Sequence, residues 1–289
     1  MTIVEPSGSS VQPAARFPLL VVAVRGSGSV VDHMVNLNIS PRSTEDFISP
    51  ELEAHAGFLA GARVLESEIT KTINQAFHAG GIKEVLFTGH SAGAAVASIL
   101  FMHYRVHGLN GLPIKFSSIT FGGPPALRQT RLEKEWIPES GELWLNIVNE
   151  YDVIGRADKA YILSLVDLLR SVYGKLPLEN TSGISLDSQN SGTLNYWTLR
   201  ESDYRHYGDM IILQVSQEWP SLSGESVLTN DGLSVSTWKV SWADYSQLLF
   251  TRVRVHARTF YERNVGMIAE KFLLCEEDPD TEGRKFSFG

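Results

Sequence analysis

Residues 84–107 read EVLFTGHSAGAAVASILFMHYRVH, and this segment carries the strongest structural signal in the chain. Its first five residues suit a buried strand, and Ala92–His107 is built on Ala, Val, Leu and Phe like a buried helix. Between them, Gly89 and Gly93 flank a serine, as a sharp strand-to-helix turn requires. The segment therefore predicts that the hydroxyl of Ser91 stands clear of the backbone at the carboxyl end of a sheet.

Strands and helices are expected to alternate on both sides of this turn. Phe17–Val24 is a continuous apolar run suited to a strand buried on both faces, and Leu52–Ala79 has apolar residues at helical spacing. Further strands are expected at 116–121 and 143–149. This alternation predicts an α/β fold with right-handed crossovers, a mostly parallel central sheet and helices on both faces.

The second half of the chain is less regular. A helix is expected at 160–176, antiparallel edge strands at 209–217 and 233–242, and partly helical structure at 246–272. Residues 1–16, rich in Ser, Pro and Gly, predict a flexible N-terminal tail. No linker divides the remainder, so we expect residues 17–289 to form a single domain with a cap-like helical insertion at about 160–205.

Composition excludes several classes of protein. The 289 residues are 43% hydrophobic and 20% charged, with a net charge of −8, so a binder of nucleic-acid backbones is not expected. The longest apolar run falls well short of the ~20 residues of a transmembrane segment. Cys275 is the single cysteine and no secretion signal with a cleavage site is evident. We therefore expect a cytoplasmic protein without disulfides.

Ser91 would need a base and an acid that orients the base before it could act as a nucleophile. In the chain order Ser, Asp or Glu, His, the acid should follow a late strand. Asp152 has this position and is preferred, while Glu150 and Asp158 remain competitors. The backbone N–H of Ala92, at the start of the helix, predicts one donor to an oxyanion.

Two histidines follow Asp152, namely His206 and His256. Their order in the chain leaves both open as the base, with a preference for His256. A second oxyanion donor is expected where the first strand ends in Val24-Arg25-Gly26-Ser27, from a backbone N–H there with help from the Ser27 hydroxyl.

Several segments share the motifs and the order of a known family. The chain resembles the class 3 (fungal-type) lipases of the α/β-hydrolase superfamily, and the matching segments span roughly residues 17 to 265. These are Val24 to Ser27 with Asp32, His55-Ala56-Gly57-Phe58, Thr88 to Gly93, Thr120 to Pro124, Asn149 to Val153, His206-Tyr207-Gly208, and His256 with Tyr261.

The resemblance implies an α/β-hydrolase fold and a role for each matched residue. It implies that Ser91 is the nucleophile, Asp152 the orienting acid and His256 the base, with Ser27 and the Ala92 N–H as the oxyanion hole. It also makes His55 and His206 structural and implies no metal or organic cofactor.

The chain departs from the family pattern at several positions. Ala92 and Ala94 stand where the family usually has Leu and the last Gly of Gly-His-Ser-Leu-Gly-Gly. Val153-Ile154-Gly155 replaces Pro-Val-Pro after the acid. The disulfides and the long helical segment that precede or brace the domain in secreted members are also missing, which disfavours a secreted triglyceride lipase.

These observations predict a serine hydrolase that cleaves a small-molecule or lipid ester through an acyl-enzyme on Ser91 and makes transient contact with a lipid interface. The alternatives are an acyltransferase or cyclising esterase with the same triad, and a non-catalytic lipase-like binding protein. Residues 30–35 and 160–176 are the segments expected to cover the site, and we hypothesise that the second one walls an acyl pocket. The oligomeric state stays open.

Overall fold

The computed structural model describes residues 2–4, 18–26, 40–109, 111–130, 136–138, 141–175, 177–178, 197–217 and 233–276, with the side chains of 2–4 and 271–276 left out. The described strands are β1 (Thr2–Val4), β2 (Leu19–Val24), β3 (Pro41–Ser43), β4 (Leu52–His55), β5 (Glu84–His90), β6 (Lys115–Phe121), β7 (Leu127–Gln129), β8 (Trp144–Asn149), β9 (Asp209–Gln217) and β10 (Leu233–Val240). The described α-helices are α1 (Ala56–Gly80), α2 (Ala92–His107), α3 (Lys159–Val172), α4 (Trp242–Tyr245) and α5 (Arg258–Glu276), and 3-10 turns lie at Val153–Arg156 and Arg254–His256.

Within the described residues the main sheet has the order β1-β2-β5-β6-β8-β9-β10. Strands β2, β5, β6, β8 and β9 run parallel to one another, whereas β1 and β10 pair antiparallel at the two edges. The carboxyl ends of the parallel strands therefore meet at one end of the sheet, where α/β folds place their sites. The mostly parallel sheet is confirmed. The antiparallel arrangement expected for 209–217 and 233–242 toward one edge is present between β9 and β10, while the other side of β9 extends the parallel register of β8.

Helices lie on both faces of this sheet. Helix α2 packs on the face that holds Phe116, whose ring stacks 5.4 Å from that of Tyr104. Side chains alternate along a strand, so Phe121 lies on the opposite face from Phe116. There the ring of Tyr261, from α5, meets Phe121 edge-on at 6.3 Å. The predicted α/β-hydrolase architecture is thus present around the end of β5.

The helix expected to begin at residue 52 begins instead at Ala56. Residues Leu52–His55 form β4, which lies between β3 and β7 in a second, antiparallel sheet. Leu52 and Ala54 are fully buried in the main hydrophobic core. Pairing with a distant strand overrides the helical spacing that continues through this segment.

The N-terminal segment is not wholly a tail. Thr2–Val4 pairs antiparallel with β2, with Ile3 opposite Leu20. This pairing satisfies backbone groups on the outer edge of β2, which would otherwise be a bare sheet edge. The expectation of a flexible tail is therefore wrong at residues 2–4, while residues 1 and 5–16 lie outside the described residues.

Helix α3 occupies most of the predicted helix at 160–176. It begins after Asp158, whose side chain accepts the Tyr161 N–H at 2.7 Å as an N-cap. Residues 179–196 of the expected insertion lie outside the described residues, so the insertion and the single domain stay predictions. In the part of the chain that the structure describes, no helix combines the length and apolarity needed to cross a bilayer.

Candidate active site

Ser91 occupies the sharp turn between β5 and α2. Its φ of 59° and ψ of −133° are strained for a residue with a side chain, and its N–H is held by the carbonyl of Phe121 at 3.0 Å. A Cβ on Gly89 would lie 2.5 Å from the backbone of Gly93, and one on Gly93 would lie 2.3 Å from the carbonyl oxygen of Val24. Both glycines are therefore required because the backbone passes too close for any side chain.

The imidazole of His256 contacts the serine directly. Its Nε2 lies 2.9 Å from Ser91 Oγ, and its Nδ1 lies 2.9 Å from Asp152 Oδ2. Ser91, His256 and Asp152 thus form one hydrogen-bonded chain from hydroxyl to imidazole to carboxylate. Sequence order left two histidines open, and the structure brings His256 to the serine from 165 residues further along the chain.

Asp152 follows β8 and is fully buried. Its Oδ1 accepts the Ile154 N–H at 2.9 Å, and its Oδ2 also accepts the Tyr261 hydroxyl at 2.6 Å. The two competing carboxylates have other partners. Glu150 accepts from the side-chain amide of Gln214 at 3.0 Å, and Asp158 caps α3.

Tyr261 is a site residue that the sequence reasoning did not single out beyond the family resemblance. Its hydroxyl donates to Asp152 and accepts the Asn149 N–H at 3.0 Å. Burial and the neighbouring Asp152 charge raise the pKa of Tyr261 well above its ordinary value, so the hydroxyl remains a donor. Its position five residues after His256, on the following helix, is a signal that could have found it.

Gly122 leaves room for this contact. Its φ is +54°, and a Cβ there would lie 2.6 Å from the Tyr261 hydroxyl oxygen and 3.0 Å from Asp152 Oδ2. Gly122 therefore leaves the space in which the Tyr261 hydroxyl donates to Asp152.

His90, the residue before Ser91, lies against His256. The two imidazole rings stack at 4.7 Å and 25°, and His90 Nε2 donates to the carbonyl oxygen of His256 at 2.9 Å. Burial, and then the proximity of His256, lower the pKa of His90 below its ordinary value. A neutral His90 supports His256 without placing a second positive charge beside it.

The backbone that carries His256 is joined to the backbone that carries Asp152. The Arg252 N–H donates to the carbonyl of Tyr151 at 2.8 Å, and the Asn149 side-chain amide donates to the carbonyl of Val255 at 2.8 Å. Asn149 is itself held by the side-chain amide of Asn264 at 2.9 Å. Asp152 and His256 therefore belong to one cross-linked assembly of loops.

Of the two expected oxyanion donors, Ala92 lies within the described residues and Ser27 lies outside them. Ala92 is the first residue of α2, so its N–H belongs to the first turn, where amides have no partner within the helix. Ser27, Asp32 and residues 30–35 lie outside the described residues, and the role of Ser27 stays a prediction. Gly26 lies within the described residues, and a Cβ on it would lie 2.7 Å from the carbonyl oxygen of His90. The turn at the end of β2 therefore packs against the strand-to-helix turn at Ser91, which we call the elbow.

The resemblance implied structural roles for His55 and His206, and each has a packing partner. His55 is buried and stacks on Phe58 at 4.2 Å. His206 is buried and donates from Nε2 to the carbonyl oxygen of Gly155 at 3.0 Å. Desolvation by burial lowers the pKa of His206 to about 4, so this imidazole is neutral at neutral pH.

Comparison with known proteins adds a family match. Residues 21–161 match the family model described as lipase (class 3). The segment includes β2, the elbow at Ser91 and the turn at Asp152. It ends before His256.

Solved structures that this chain matches include several fungal lipases. The lipase from Rhizopus microsporus var. chinensis is 13% identical with a TM-score of 0.45, and the match covers 82% of this chain and 64% of that one. The native lipase–propeptide complex from Rhizomucor miehei is 22% identical with a TM-score of 0.37, covering 49% and 45%. The mono- and diacylglycerol lipase from Aspergillus oryzae is 18% identical with a TM-score of 0.36, covering 47% of each chain.

This chain therefore spans between about half and two thirds of the length of these proteins. The family match covers the strand–elbow–helix core together with the acid. The resemblance to the class 3 lipase family is thus confirmed over residues 21–161, which carry both Ser91 and Asp152.

Proposed function

We propose that this protein is a serine hydrolase that cleaves carboxylic esters of small-molecule or lipid substrates. The observation that carries the proposal is the hydrogen-bonded chain from Ser91 through His256 to the buried Asp152. The class 3 lipase match over residues 21–161 supports the same reaction class.

The geometry is suited to acylation of the serine. As Ser91 Oγ attacks the acyl carbon, His256 Nε2 lies at hydrogen-bond distance to take its proton. Asp152 accepts the Nδ1–H of the same ring, which fixes the tautomer and stabilises the imidazolium that forms. The oxyanion meets the N–H of Ala92 at the positive end of α2, and Ser27 is the proposed second donor.

Release of the alcohol, which completes acylation, and the subsequent deacylation use the same groups. The His256 imidazolium gives its proton to the departing alcohol and then accepts one from the water that attacks the acyl-enzyme. The carboxylic acid product leaves as Ser91 regains its proton from His256. Because His90 is stacked on His256 and neutral, it does not oppose the transient positive charge on the base.

The test is labelling with a fluorophosphonate probe together with hydrolysis of p-nitrophenyl esters of increasing chain length, with and without micelles. We expect the probe to modify Ser91, and Ser91→Ala to abolish both labelling and turnover with little change in thermal stability. Ser98→Ala, about two helical turns after Ser91 on α2, is the matched control and should retain both. Turnover by Ser91→Ala, or an unlabelled wild-type protein, would contradict the proposal.

A further inference from the structure

The two edges of the main sheet are protected differently. At one edge, the short strand β1 pairs with β2. At the other edge, β10 pairs with β9 without a bulge from Leu233 to Val240, and none of the described strands lies on its outer side. A long and regular edge strand presents backbone N–H and C=O groups that pair readily with another strand. The outer edge of β10 is therefore a candidate interaction surface.

The hydrogen bonds of β9 show which backbone groups of β10 point outward. The Glu150 N–H donates to the Leu213 carbonyl at 2.9 Å, so Leu213 directs its backbone groups toward β8. Because this direction alternates along a strand, the neighbouring Ile212 faces β10, where it pairs with Trp238. Trp238 therefore faces β9 in return. The same alternation along β10 gives outward N–H and C=O groups to Val235, Thr237 and Lys239.

This part of β10 is open to solvent. The four consecutive side chains from Ser236 to Lys239 are exposed, and Trp238 is 57% exposed. Successive side chains of a strand point to opposite faces of the sheet, so both faces are accessible here. Strand β10 also contains no proline, which is a residue that commonly protects an edge from pairing. The strand is therefore accessible to a partner along its side.

The hairpin of β9 and β10 is electrically neutral, although the whole chain has a net charge of −8. Lys239 is the one charged residue of β10, and Asp209 is the one charged residue of β9. Their side chains form an ion pair at 2.9 Å. Copies of an acidic protein repel one another, so they approach most easily where the surface is neutral. The charge distribution thus favours a second copy of this chain as the partner.

A two-fold axis through Thr237 pairs this edge with itself. In antiparallel pairing about that axis, Thr237 lies opposite Thr237 of the other copy, and Val235 lies opposite Lys239 of the other copy. Each outward residue then meets an outward residue, as an antiparallel ladder requires. Lys239 meets an apolar side chain rather than a like charge, which would be unfavourable directly opposite. The edge is therefore complementary to itself, as a symmetric dimer interface must be.

We propose that two copies of this chain associate through β10, in antiparallel pairing about Thr237, and form one continuous sheet across the dimer. The interface offers one strand from each copy and few apolar side chains. The dimer should therefore be weak, with a dissociation constant on the order of 10 µM.

The experiment is sedimentation equilibrium of the full chain, at concentrations from about tenfold below to about tenfold above that dissociation constant. We expect a monomer–dimer equilibrium in the wild type. Thr237→Pro removes an outward N–H and leaves the hydrogen bonds to β9 in place, so it should weaken the dimer by about tenfold or more. Thr237→Val is the matched control, because it keeps the N–H and the branched shape, and it should associate like the wild type.

A pair of charged variants tests the register. Val235→Glu places a carboxylate opposite Lys239 of the other copy, whereas Val235→Lys places a like charge there. We expect Val235→Glu to dimerise about fivefold more tightly than Val235→Lys, because the contact occurs twice in a symmetric dimer. Val64→Glu and Val64→Lys, at an 80% exposed position on α1, control for the change in net charge and should differ little.

Several outcomes would overturn the proposal. A wild-type protein that stays monomeric over the whole concentration range would do so, as would a dimer that Thr237→Pro leaves intact. Equal weakening by Thr237→Val would also contradict it, since backbone pairing does not depend on the hydroxyl. Thermal unfolding of each variant shows whether it is folded. If Thr237→Pro does not fold, the two Val235 variants decide, and equal dissociation constants for them would refute the pairing.

Discussion

The buried carboxylate of Asp152 depends on a small number of named donors. The Ile154 N–H serves one oxygen, while the other is shared between His256 and the Tyr261 hydroxyl. A buried carboxylate that loses a donor is penalised more than the lost bond is worth, because water cannot replace it. The tyrosine therefore belongs to the positioning of the triad rather than to packing alone.

Tyr261→Phe tests this role. The ring is kept, but Asp152 loses a donor and the Asn149 N–H loses an acceptor. We expect kcat for a soluble ester to fall about tenfold with KM nearly unchanged, because the orientation of the base is disturbed and not the binding of substrate. Tyr104→Phe removes a buried hydroxyl bonded to Thr70 at 2.8 Å on the other side of the core. That control should lose stability without the same loss of kcat, and equal losses would argue against a positioning role.

Among the structural elements, the segment from α4 to the 3-10 turn at His256 has little regular structure of its own. Its position is fixed by contacts from the residues that follow Asp152. The Tyr161 hydroxyl binds both backbone groups of Phe250, and the Arg156 guanidinium donates to the carbonyls of Tyr245 and Leu248. The residues after Asp152 thus hold in place the chain that carries His256.

Tyr161→Phe should loosen this clamp. Phe250 is buried, so its N–H and carbonyl would each be left without their present partner, at about 1–3 kcal/mol apiece. We expect the rate of fluorophosphonate labelling at Ser91 to fall about three- to tenfold, since His256 is less often in place. Tyr104→Phe serves again as the stability-matched control. Labelling at the wild-type rate in a destabilised Tyr161→Phe protein would show that the segment holds its position unaided.

The elements also show where sequence patterns succeed. The elbow was predictable because the strand, the glycines and the helix that define it are adjacent in the chain. Residues 52–55 were not, because their strand exists through pairing with Leu127–Gln129, far along the sequence. The orientation of α3 was equally out of reach, since it follows from the contacts of Ser164 and Asp167 with a later segment.

For the molecule as a whole, His206 links folding stability to pH. Burial lowers the pKa of His206 from 6.5 to about 4. Between these pH values the imidazole is protonated in the unfolded chain and neutral in the folded chain. The free energy of unfolding should therefore fall as pH drops from 6.5 to 4, by about 3 kcal/mol from this residue. Chemical denaturation across this range should show a smaller pH dependence in His206→Gln than in the wild type. The exposed His78→Gln is the control, and an unchanged slope in His206→Gln would refute the assignment.

The triad as a whole was only partly predictable. Sequence order and the strand before it favoured Asp152. Order left both His206 and His256 open with a preference for His256, and the family resemblance strengthened that preference. Tertiary contacts distinguish the two histidines. His206 Nε2 is hydrogen-bonded to the carbonyl of Gly155, whereas hydrogen bonds with Tyr151, Asn149 and His90 hold the loop of His256 in place. No local pattern encodes contacts between residues more than a hundred positions apart.

The distance along the chain between nucleophile and base has a consequence for synthesis. A ribosome that has released the chain through Asp152 has already supplied the elbow and the carboxylate, yet the imidazole that would activate the hydroxyl has not emerged. Because a domain generally folds as a unit, we expect the nascent polypeptide to lack the proposed activity until α5 has been made. We therefore expect the proposed hydrolase to be latent during translation.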